Sequence, residues 1–240
     1  MRLTPALHRV GNGLVNSYLI DDAGQVTIVD AGMPGQHADL VRELSAMGRS
    51  TSDVRAIVLT HGDSDHIGYA ERLRRENGIP VFVHRADIDR ARLLVRKPTT
   101  GWGRVRLRPF ASFMLYGALK GGLRATSVTE LQGFDDGATL DAPGAPQVIH
   151  LPGHTPGSVA IHVPAVDSLF VGDGLTTHDV LTGADGPRLA PFTIDRDQAR
   201  QSLARLEETE VSWLLPGHGE AWTGGVGEAL RRVRQVRQDA

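Results

Sequence analysis

Histidine and aspartate side chains are concentrated in one short segment of the chain, residues 60–66, with the sequence THGDSDH. This segment holds two histidines and two aspartates and directly follows the apolar run 54–59. Imidazole and carboxylate groups are ligands for divalent zinc, iron and manganese. A turn after a buried strand can direct alternate side chains to one point while the backbone stays fixed. The segment therefore predicts a metal site at the end of a strand.

Three later segments share one pattern, an apolar strand followed by a glycine-flanked histidine or aspartate. They are VIHLPGHTPG around His154, LFVGDG around Asp173 and WLLPGHG around His218. Glycine lets the backbone bend sharply and come close to a metal ion. The chain contains no cysteine, so any metal must be bound through nitrogen and oxygen atoms.

Strands and helices alternate along the chain and must position these segments. The hydrophobic patterns predict strands at 14–20, 25–30, 54–59, 80–84, 147–151, 158–163, 168–171 and 212–215, and helices at 36–47, 66–77, 196–208 and 226–238. The turn 21–24 joins the first two strands as a hairpin. The chain has 240 residues, 40% of them hydrophobic, and no stretch that resembles a linker, which predicts a single domain over 1–240.

Taken together, these motifs resemble those of the metallo-β-lactamase superfamily, and the resemblance covers nearly the whole chain. The order is an HxHxDH-type segment, a lone histidine, a lone aspartate and a final histidine. The resemblance implies an α+β fold, a four-layer αββα sandwich of two mixed β-sheets with two metal ions at one edge. It also implies a metal-bridging hydroxide that attacks the substrate.

The resemblance also implies a role for each candidate ligand. The first metal would be bound by His61, Asp63 and His154, the second by Asp65, His66 and His218, and Asp173 would bridge the two. Asp65 and Asp173 would be the catalytic carboxylates, which orient the nucleophile and accept protons. The implied cofactors are two divalent metal ions per chain, zinc first, with iron or manganese as the alternatives.

One position departs from the family pattern, because Asp63 stands where histidine is usual and makes the motif HxDxDH. An added carboxylate makes the ligand set more anionic, so we expect a weaker Lewis acid and a raised pKa of the metal-bound water. A carboxylate is also a harder donor, which favours iron or manganese more than an all-histidine site does. It is shorter than imidazole as well, so coordination by Asp63 stays open at this point.

A basic and aromatic segment spans residues 85–124, where ten Lys or Arg residues face two Asp. Family members place a helical insertion over the active site in this part of the chain. We predict that it covers the site and binds an amphiphile with an anionic head, with substrate contacts from Trp102, Arg106 and Tyr116, and from His178 beyond it. A homodimer interface or a solvated cap is the alternative interpretation of the segment.

The sequence thus predicts a dinuclear metal-dependent hydrolase of a small ester, thioester or lactone, anionic or acyl-bearing. The alternative is a non-hydrolytic di-iron redox protein or a ligand-binding regulator on the same scaffold. No nucleic-acid-binding motif is present, and no apolar run approaches the roughly 20 residues of a membrane span. The N-terminus lacks the apolar core of a secretory signal, so a cytoplasmic protein is expected.

Overall fold

The computed structural model describes residues 1–95, 104–124 and 126–236. Twelve strands and six α-helices lie within these residues. The strands are β1 Leu7–Gly11, β2 Asn16–Asp22, β3 Gln25–Val29, β4 Val54–Val58, β5 Val81–His84, β6 Gln132–Phe134, β7 Gln147–His150, β8 Val159–Val163, β9 Ser168–Gly172, β10 Thr176–His178, β11 Asp185–Arg188 and β12 Trp213–Pro216. The helices are α1 His37–Ala46, α2 Ala70–Asn77, α3 Ile88–Ala91, α4 Leu107–Leu119, α5 Arg196–Ser202 and α6 Val226–Gln235.

Two mixed sheets form the centre of the fold. Strands β1 to β6 make a six-stranded sheet in chain order, antiparallel from β1 to β3 and parallel from β3 to β6. The second sheet has the order β12-β9-β8-β7, with β12 and β9 parallel and the remaining pairs antiparallel. Strands β10 and β11 form a separate antiparallel pair.

The apolar side chains separate into three clusters, which define the layers. One cluster packs α1 and α2 on the outer face of the first sheet, through residues such as Leu40 and Leu73. A second joins the two sheets face to face, with Tyr18 and Phe170 in edge-on contact. A third packs α5 and α6 on the outer face of the second sheet. The order helix, sheet, sheet, helix confirms the predicted α+β sandwich.

The hairpin between β2 and β3 shows how the local sequence decides the register. Ala23 and Gly24 both have positive φ, 51° and 87°, as a tight two-residue turn of the type that matches strand twist requires. The side chain of Asp21 accepts a hydrogen bond from the Gly24 amide at 2.9 Å. The predicted turn at 21–24 is therefore confirmed.

The helix predicted directly after His66 begins later, at Ala70. The backbone between these residues is bonded elsewhere, because the Gly68 amide donates to Gly32 O at 2.7 Å and the Tyr69 amide to Ala31 O at 3.1 Å. These bonds attach the chain after the metal-ligand segment to the loop that follows β3. The helix therefore begins at Ala70, after the residues that make these two hydrogen bonds.

Other boundaries also differ from the sequence prediction. Helix α5 ends at Ser202 and continues as a 3-10 turn over Leu203–Leu206. Strands β1, β6, β10 and β11 were not predicted, since they are short or lack an alternating apolar pattern. The basic segment contributes α4, whose 13 residues include no fully buried side chain. Within the described ranges, no helix combines the length and the apolar character needed to cross a bilayer.

Candidate metal centre

The candidate ligands all follow the carboxyl ends of strands at one edge of the two sheets. The segment 60–66 follows β4 in the first sheet, whereas Asp173 follows β9 and His218 follows β12 in the second. His154 follows β7, which runs in the direction of β9 because both are antiparallel to β8. Parallel strands bring their carboxyl ends to the same edge, so segments far apart in the chain meet there.

Seven side chains meet at this edge and form three overlapping groups of three. Within each group, the ligand atoms lie within 4.8 Å of one another. The groups combine the residues His61, Asp63, Asp65, His66, His154, Asp173 and His218. The structure therefore brings together every residue that the sequence suggested as a metal ligand. Six of the seven are buried, and Asp65 is partly exposed.

The first group consists of His61, Asp63 and His154. Asp63 Oδ2 lies 3.4 Å from His154 Nε2 and 3.8 Å from His61 Nε2. Ligands bound at about 2.1 Å to a tetrahedral ion stand about 3.4 Å apart, which is close to these separations. The Asp63 carboxylate therefore lies at a distance from both histidines that is compatible with one shared ion.

The second group consists of Asp65, His66 and His218, with Asp65 Oδ2 3.6 Å from His218 Nε2. Asp173 lies between the groups. Its Oδ2 is 3.1 Å from His218 Nε2 and 3.6 Å from His154 Nε2, and its Oδ1 is 3.5 Å from His66 Nε2. One carboxylate therefore faces histidines of both groups, as a bridging ligand does.

The imidazole nitrogens that face away from the cluster are held by hydrogen bonds, beginning with His66 and His61. His66 Nδ1 donates to Asp30 Oδ2 at 2.9 Å, since a carboxylate can only accept. The Thr60 hydroxyl donates to the same carboxylate at 2.8 Å, so its oxygen accepts from His61 Nδ1 at 3.1 Å. Both rings therefore hold a proton on Nδ1, which leaves Nε2 as the nitrogen directed at the cluster.

The other two histidines are held in the same way. His218 Nδ1 donates to the carbonyl oxygen of Leu14. The Thr193 hydroxyl donates to Ala190 O at 2.8 Å and so accepts from His154 Nδ1 at 3.3 Å. All four rings thus aim Nε2 at the cluster in the tautomer that binds a metal.

The buried atoms at the centre provide a test of whether a metal fits. His61 Nε2, His66 Nε2, His154 Nε2 and Asp173 Oδ1 are buried and have no hydrogen-bond partner among the described residues. Buried polar atoms without a partner are uncommon in folded proteins and call for an explanation. Each of these atoms faces the cluster, and coordination to divalent cations would give each of them a partner. The donor set of imidazole and carboxylate suits such a cation.

The electrostatics of the cluster agree with this interpretation. Burial, followed by the neighbouring His66 and His154, holds the pKa of His61 well below its usual value. Burial would raise the pKa of Asp173, but His218 and His66 hold it well below the usual range of a carboxyl group. Burial would lower the pKa of His66, yet Asp30 and Asp173 raise it to about 10. Asp173 is therefore ionised, and a cation bound at His66 would replace the proton on its Nε2.

Two carboxylates that the sequence analysis did not single out hold the ligand segments in place. Asp30, with φ of 61°, accepts from both the amide and the hydroxyl of Thr60 in addition to His66. Asp87 accepts from the Gly62 amide at 2.8 Å, the Thr155 hydroxyl at 2.7 Å and the Gly157 amide at 2.8 Å. Asp87 therefore ties the segment of the first sheet to the segment of the second.

Glycine is required where the segments come closest. A Cβ atom on Gly217 would lie 2.5 Å from Asp173 Oδ1 and 2.5 Å from His66 Cε1. No side chain fits in that space, so the Pro-Gly-His sequence lets the last ligand approach the centre. The side chains of Asn16 and Tyr18 from β2 donate to the Pro216 carbonyl at 3.2 Å and 2.7 Å and hold this turn from the opposite sheet.

Asp63 also contacts a cation. Arg90, on α3, is 6% exposed, and its Nε donates to Asp63 Oδ1 at 2.7 Å. We expected a more anionic ligand set from the negative charge of Asp63 alone. The structure adds a buried guanidinium next to it, so the charge of Asp63 is offset within the protein.

A cavity of about 300 Å³ opens above the cluster. Its floor is formed by the candidate ligands, and its walls are mostly apolar, with Met33, Phe113, Met114, Val180 and Phe192 among them. Phe113, on α4, also makes an edge-on ring contact with His218, with centroids 6.0 Å apart. Helix α4 therefore covers the candidate metal centre and supplies part of its apolar wall.

Four side chains were predicted to bind substrate, and the structure describes three of them. Trp102 lies outside the described residues. Arg106 is exposed just before α4, and His178 Nδ1 pairs with Asp185 Oδ1 at 2.7 Å. Tyr116 is half-buried, and burial and Asp39 raise its pKa to about 12. None of these described residues lines the cavity, and their contact with substrate stays a prediction.

Comparison with known proteins gives matches along most of the chain. The family model described as the metallo-beta-lactamase superfamily matches residues 10–218. A Bacillus subtilis protein named probable metallo-hydrolase YflN is 27% identical over 233 residues, 91% of this chain and 85% of that protein. The uncharacterized protein Rv2581c of Mycobacterium tuberculosis is 32% identical over 203 residues, 80% of each chain.

Solved structures show the same architecture. A metallo-beta-lactamase family protein from Thermus thermophilus, TTHA1429, superposes with a TM-score of 0.69 at 24% identity. The match covers 96% of this chain and 79% of that one. At this level of identity the likeness is one of fold.

Proposed function

Because the chain belongs to the metallo-β-lactamase superfamily, we propose that it is a dinuclear metal-dependent hydrolase of a small ester, thioester or lactone. The observation that carries the proposal is the arrangement of four Nε2 atoms and three carboxylates around a shared centre. Each imidazole is held in the metal-binding tautomer, and the unsatisfied atoms face inward. The name of the relative YflN, probable metallo-hydrolase, supports the same reaction class.

The ligand residues would divide as His61, Asp63 and His154 on one ion, Asp65, His66 and His218 on the other, and Asp173 between them. Bound divalent ions supply Lewis acidity, which polarises the scissile carbonyl and makes a water acidic enough to attack at neutral pH. Zinc is the metal that we propose first, because four of the seven donors are imidazole nitrogens. Iron or manganese is favoured by the three carboxylates.

Two carboxylates, Asp65 and Asp173, would accept and transfer the proton of the attacking water. Asp65 is the partly exposed member of the cluster and lines the cavity, with Oδ2 3.6 Å from His218 Nε2. Asp173 also lines the cavity, and its ionised state suits it to accept a hydrogen bond from the attacking water. We assign to these two residues the orientation of the nucleophile and the transfer of its proton to the leaving group.

The cavity walls indicate the substrate class. Phe113, Met114, Val180 and Phe192 offer an apolar surface directly above the centre, which suits an acyl chain or another apolar group next to the scissile bond. Arg90 is the basic side chain in the lining, and it contacts Asp63. An acyl-bearing substrate therefore fits this cavity better than one with its anionic group at the reacting end.

Activity against a series of p-nitrophenyl esters, acyl thioesters and acyl lactones of increasing chain length tests the proposal. We expect kcat/KM to rise with acyl chain length up to about six carbons. Phe113→Ala should lower kcat/KM for the longest of these substrates by about tenfold and change kcat/KM for acetyl substrates little. Leu115→Ala is the matched control, because Leu115 is 61% exposed on the same helix. Absence of hydrolysis by protein holding two metal ions per chain would refute the proposal.

A second function is favoured by one observation, the carboxylate at position 63. A non-hydrolytic di-iron protein on this scaffold would use such a harder donor. Purification without added metal separates the two functions. Two zinc ions with ester or lactone turnover support the hydrolase, whereas bound iron with oxygen consumption supports the redox protein.

A further inference from the structure

A buried ion pair lies against the first group of candidate ligands. Asp63 is 5% exposed and Arg90 is 6% exposed. One oxygen of Asp63, Oδ1, accepts from Arg90 Nε at 2.7 Å, while the other, Oδ2, faces His154 Nε2 and His61 Nε2. The two ends of one carboxylate are thus directed to a guanidinium and to the candidate metal position.

The segment that carries Arg90 is fixed against the ligand segment. Asp87 immediately precedes α3, and its carboxylate accepts from the Gly62 amide at 2.8 Å. A Cβ atom on Gly62 would lie 2.6 Å from the Ala91 amide nitrogen and 3.0 Å from Arg90 Cβ. The backbones of the two segments are therefore in direct contact, and the position of Arg90 relative to Asp63 is set by packing.

The opposite charges of Asp63 and Arg90 offset each other next to the first group of candidate ligands. A carboxylate at position 63 brings one negative charge to a site where imidazole brings none, and the adjacent guanidinium brings one positive charge. An arginine cannot lose its proton inside a protein, so this balance is permanent. The hydrogen bond to Oδ1 also fixes the carboxylate plane, which leaves Oδ2 oriented towards the two histidines.

We propose that Arg90 is a positioning residue that makes Asp63 equivalent in charge to a histidine ligand of the first metal ion. The inference rests on the proposed metal centre but is independent of the substrate. It predicts that positions 63 and 90 act as a unit. Either aspartate with arginine or histidine with an uncharged residue satisfies the site, and a mixed pair does not.

A double-mutant cycle tests this coupling through Asp63→His, Arg90→Met and the double variant. Asp63→His alone removes the carboxylate that the buried Arg90 contacts, and Arg90→Met alone removes the guanidinium that the buried Asp63 contacts. We expect each single variant to lower the midpoint of thermal unfolding of the chelated protein by about 10 °C. The double variant should lie within about 3 °C of the wild type.

Metal content gives the second readout. Zinc per chain, measured by mass spectrometry of the protein after dialysis, should be two for the wild type and for the double variant. It should fall towards one for Asp63→His, because the unpaired guanidinium repels the first ion. Arg90→Lys keeps the charge without the planar fork and should retain more first-site zinc than Asp63→His does.

Cobalt substitution separates positioning from a purely structural role. The visible spectrum of the cobalt-loaded protein reports ligand geometry, so Arg90→Met should change the bands of one of the two ions. Arg74→Met is the matched control, because Arg74 pairs with the buried Glu71 at 2.9 Å and its other partners, Thr129 and Glu130, are not candidate ligands. It should lower the unfolding midpoint and leave the cobalt spectrum and the zinc content unchanged.

The outcomes are distinct. Additive effects of the two single substitutions, or an unchanged cobalt spectrum and zinc content in Arg90→Met, would overturn the inference even if the protein hydrolyses esters. Strong coupling with two bound ions would support it even if no ester, thioester or lactone is hydrolysed. A wild-type chain that binds fewer than two divalent metal ions, whether zinc, iron or manganese, would overturn both proposals.

Discussion

Asp30 is buried next to the candidate metal centre without being one of its ligands. Its carboxylate accepts hydrogen bonds from His66 Nδ1 and from the Thr60 amide and hydroxyl. These bonds determine which nitrogen of His66 carries the proton and therefore which nitrogen is available to a metal. The same carboxylate reaches His61 through the Thr60 hydroxyl. One residue thus fixes the ring orientation of two candidate ligands, His61 of the first group and His66 of the second.

Asp30→Asn tests this role at the level of a single side chain. The amide has one acceptor instead of two, so either orientation places an NH₂ group against a donor of Thr60 or His66. We expect zinc affinity to fall by about 10- to 100-fold, measured by competition with a chelator of known affinity. Asparagine tolerates the positive φ of this position, so backbone strain does not confuse the result. Unchanged affinity would contradict the assigned role.

The candidate ligands could be predicted from their motifs, whereas the residues that support them could not. His61, Asp63, Asp65 and His66 share one turn, so their spacing alone suggested a common centre. The partners that support them are far away in the chain, with Arg90 27 residues from Asp63 and Asp30 36 residues from His66. Only the sheet topology brings such pairs together, and no local sequence pattern predicts these contacts.

At the level of elements, helix α2 is attached to the loop before β6 by a buried carboxylate. Glu71 pairs with Arg74 and accepts from the Thr129 amide at 3.1 Å and the Thr129 hydroxyl at 3.0 Å. The hydrogen bond from Arg74 is the largest influence, and burial opposes it. With the bonds from Thr129, it lowers the pKa of Glu71 to about 2. The ionised form is therefore the one that stabilises the fold.

This depressed pKa leads to a pH dependence of stability. Because the folded-state pKa lies below the unfolded value of 4.5, the contribution is full above about pH 4.5 and is lost as the pH falls towards 2. Glu71→Gln should cost about 2 kcal/mol at pH 7 and roughly 1 kcal/mol near pH 3, measured by urea unfolding of chelated protein. Glu76→Gln, on the same helix in an exposed pair with Arg72, should cost little at either pH. Equal costs of Glu71→Gln at both pH values would contradict the assignment.

Helix α4 shows where sequence patterns stop being informative about an element. Its charge and its aromatic residues were visible, and a cover over the site was expected on that basis. The choice of contacts depends on rotation about the helix axis, and the structure has Phe113 and Met114, but not Tyr116, in the lining of the cavity. A helix with no fully buried side chain has no strong apolar stripe from which to predict that rotation.

At the level of the whole molecule, the candidate ligands come from both sheets. Four follow β4 in the first sheet, and His154, Asp173 and His218 belong to the second. A metal bound between them connects the two halves of the sandwich in the folded state, and the unfolded chain has no preformed site. Metal binding and global stability are therefore linked.

Removal of the metal should accordingly destabilise the entire sandwich. We expect treatment with a chelator to lower the free energy of unfolding by about 4 kcal/mol relative to protein in a thousandfold excess of zinc over its dissociation constant. Urea unfolding followed by tryptophan fluorescence measures this difference. His154→Ala should reduce it, since one half then loses a ligand to the first ion. An identical unfolding curve with and without chelator would be inconsistent with a bridging centre.

The contact between Arg90 and Asp63 has a consequence for how such sequences diverge. If each residue is acceptable only with its partner, a lineage cannot exchange aspartate for histidine at position 63 in one step without passing through a less stable protein. Related chains should therefore separate into two groups, one with aspartate and arginine and one with histidine and an uncharged residue. A buried salt bridge of 2.7 Å would then act as a barrier between two sequence populations that share one fold.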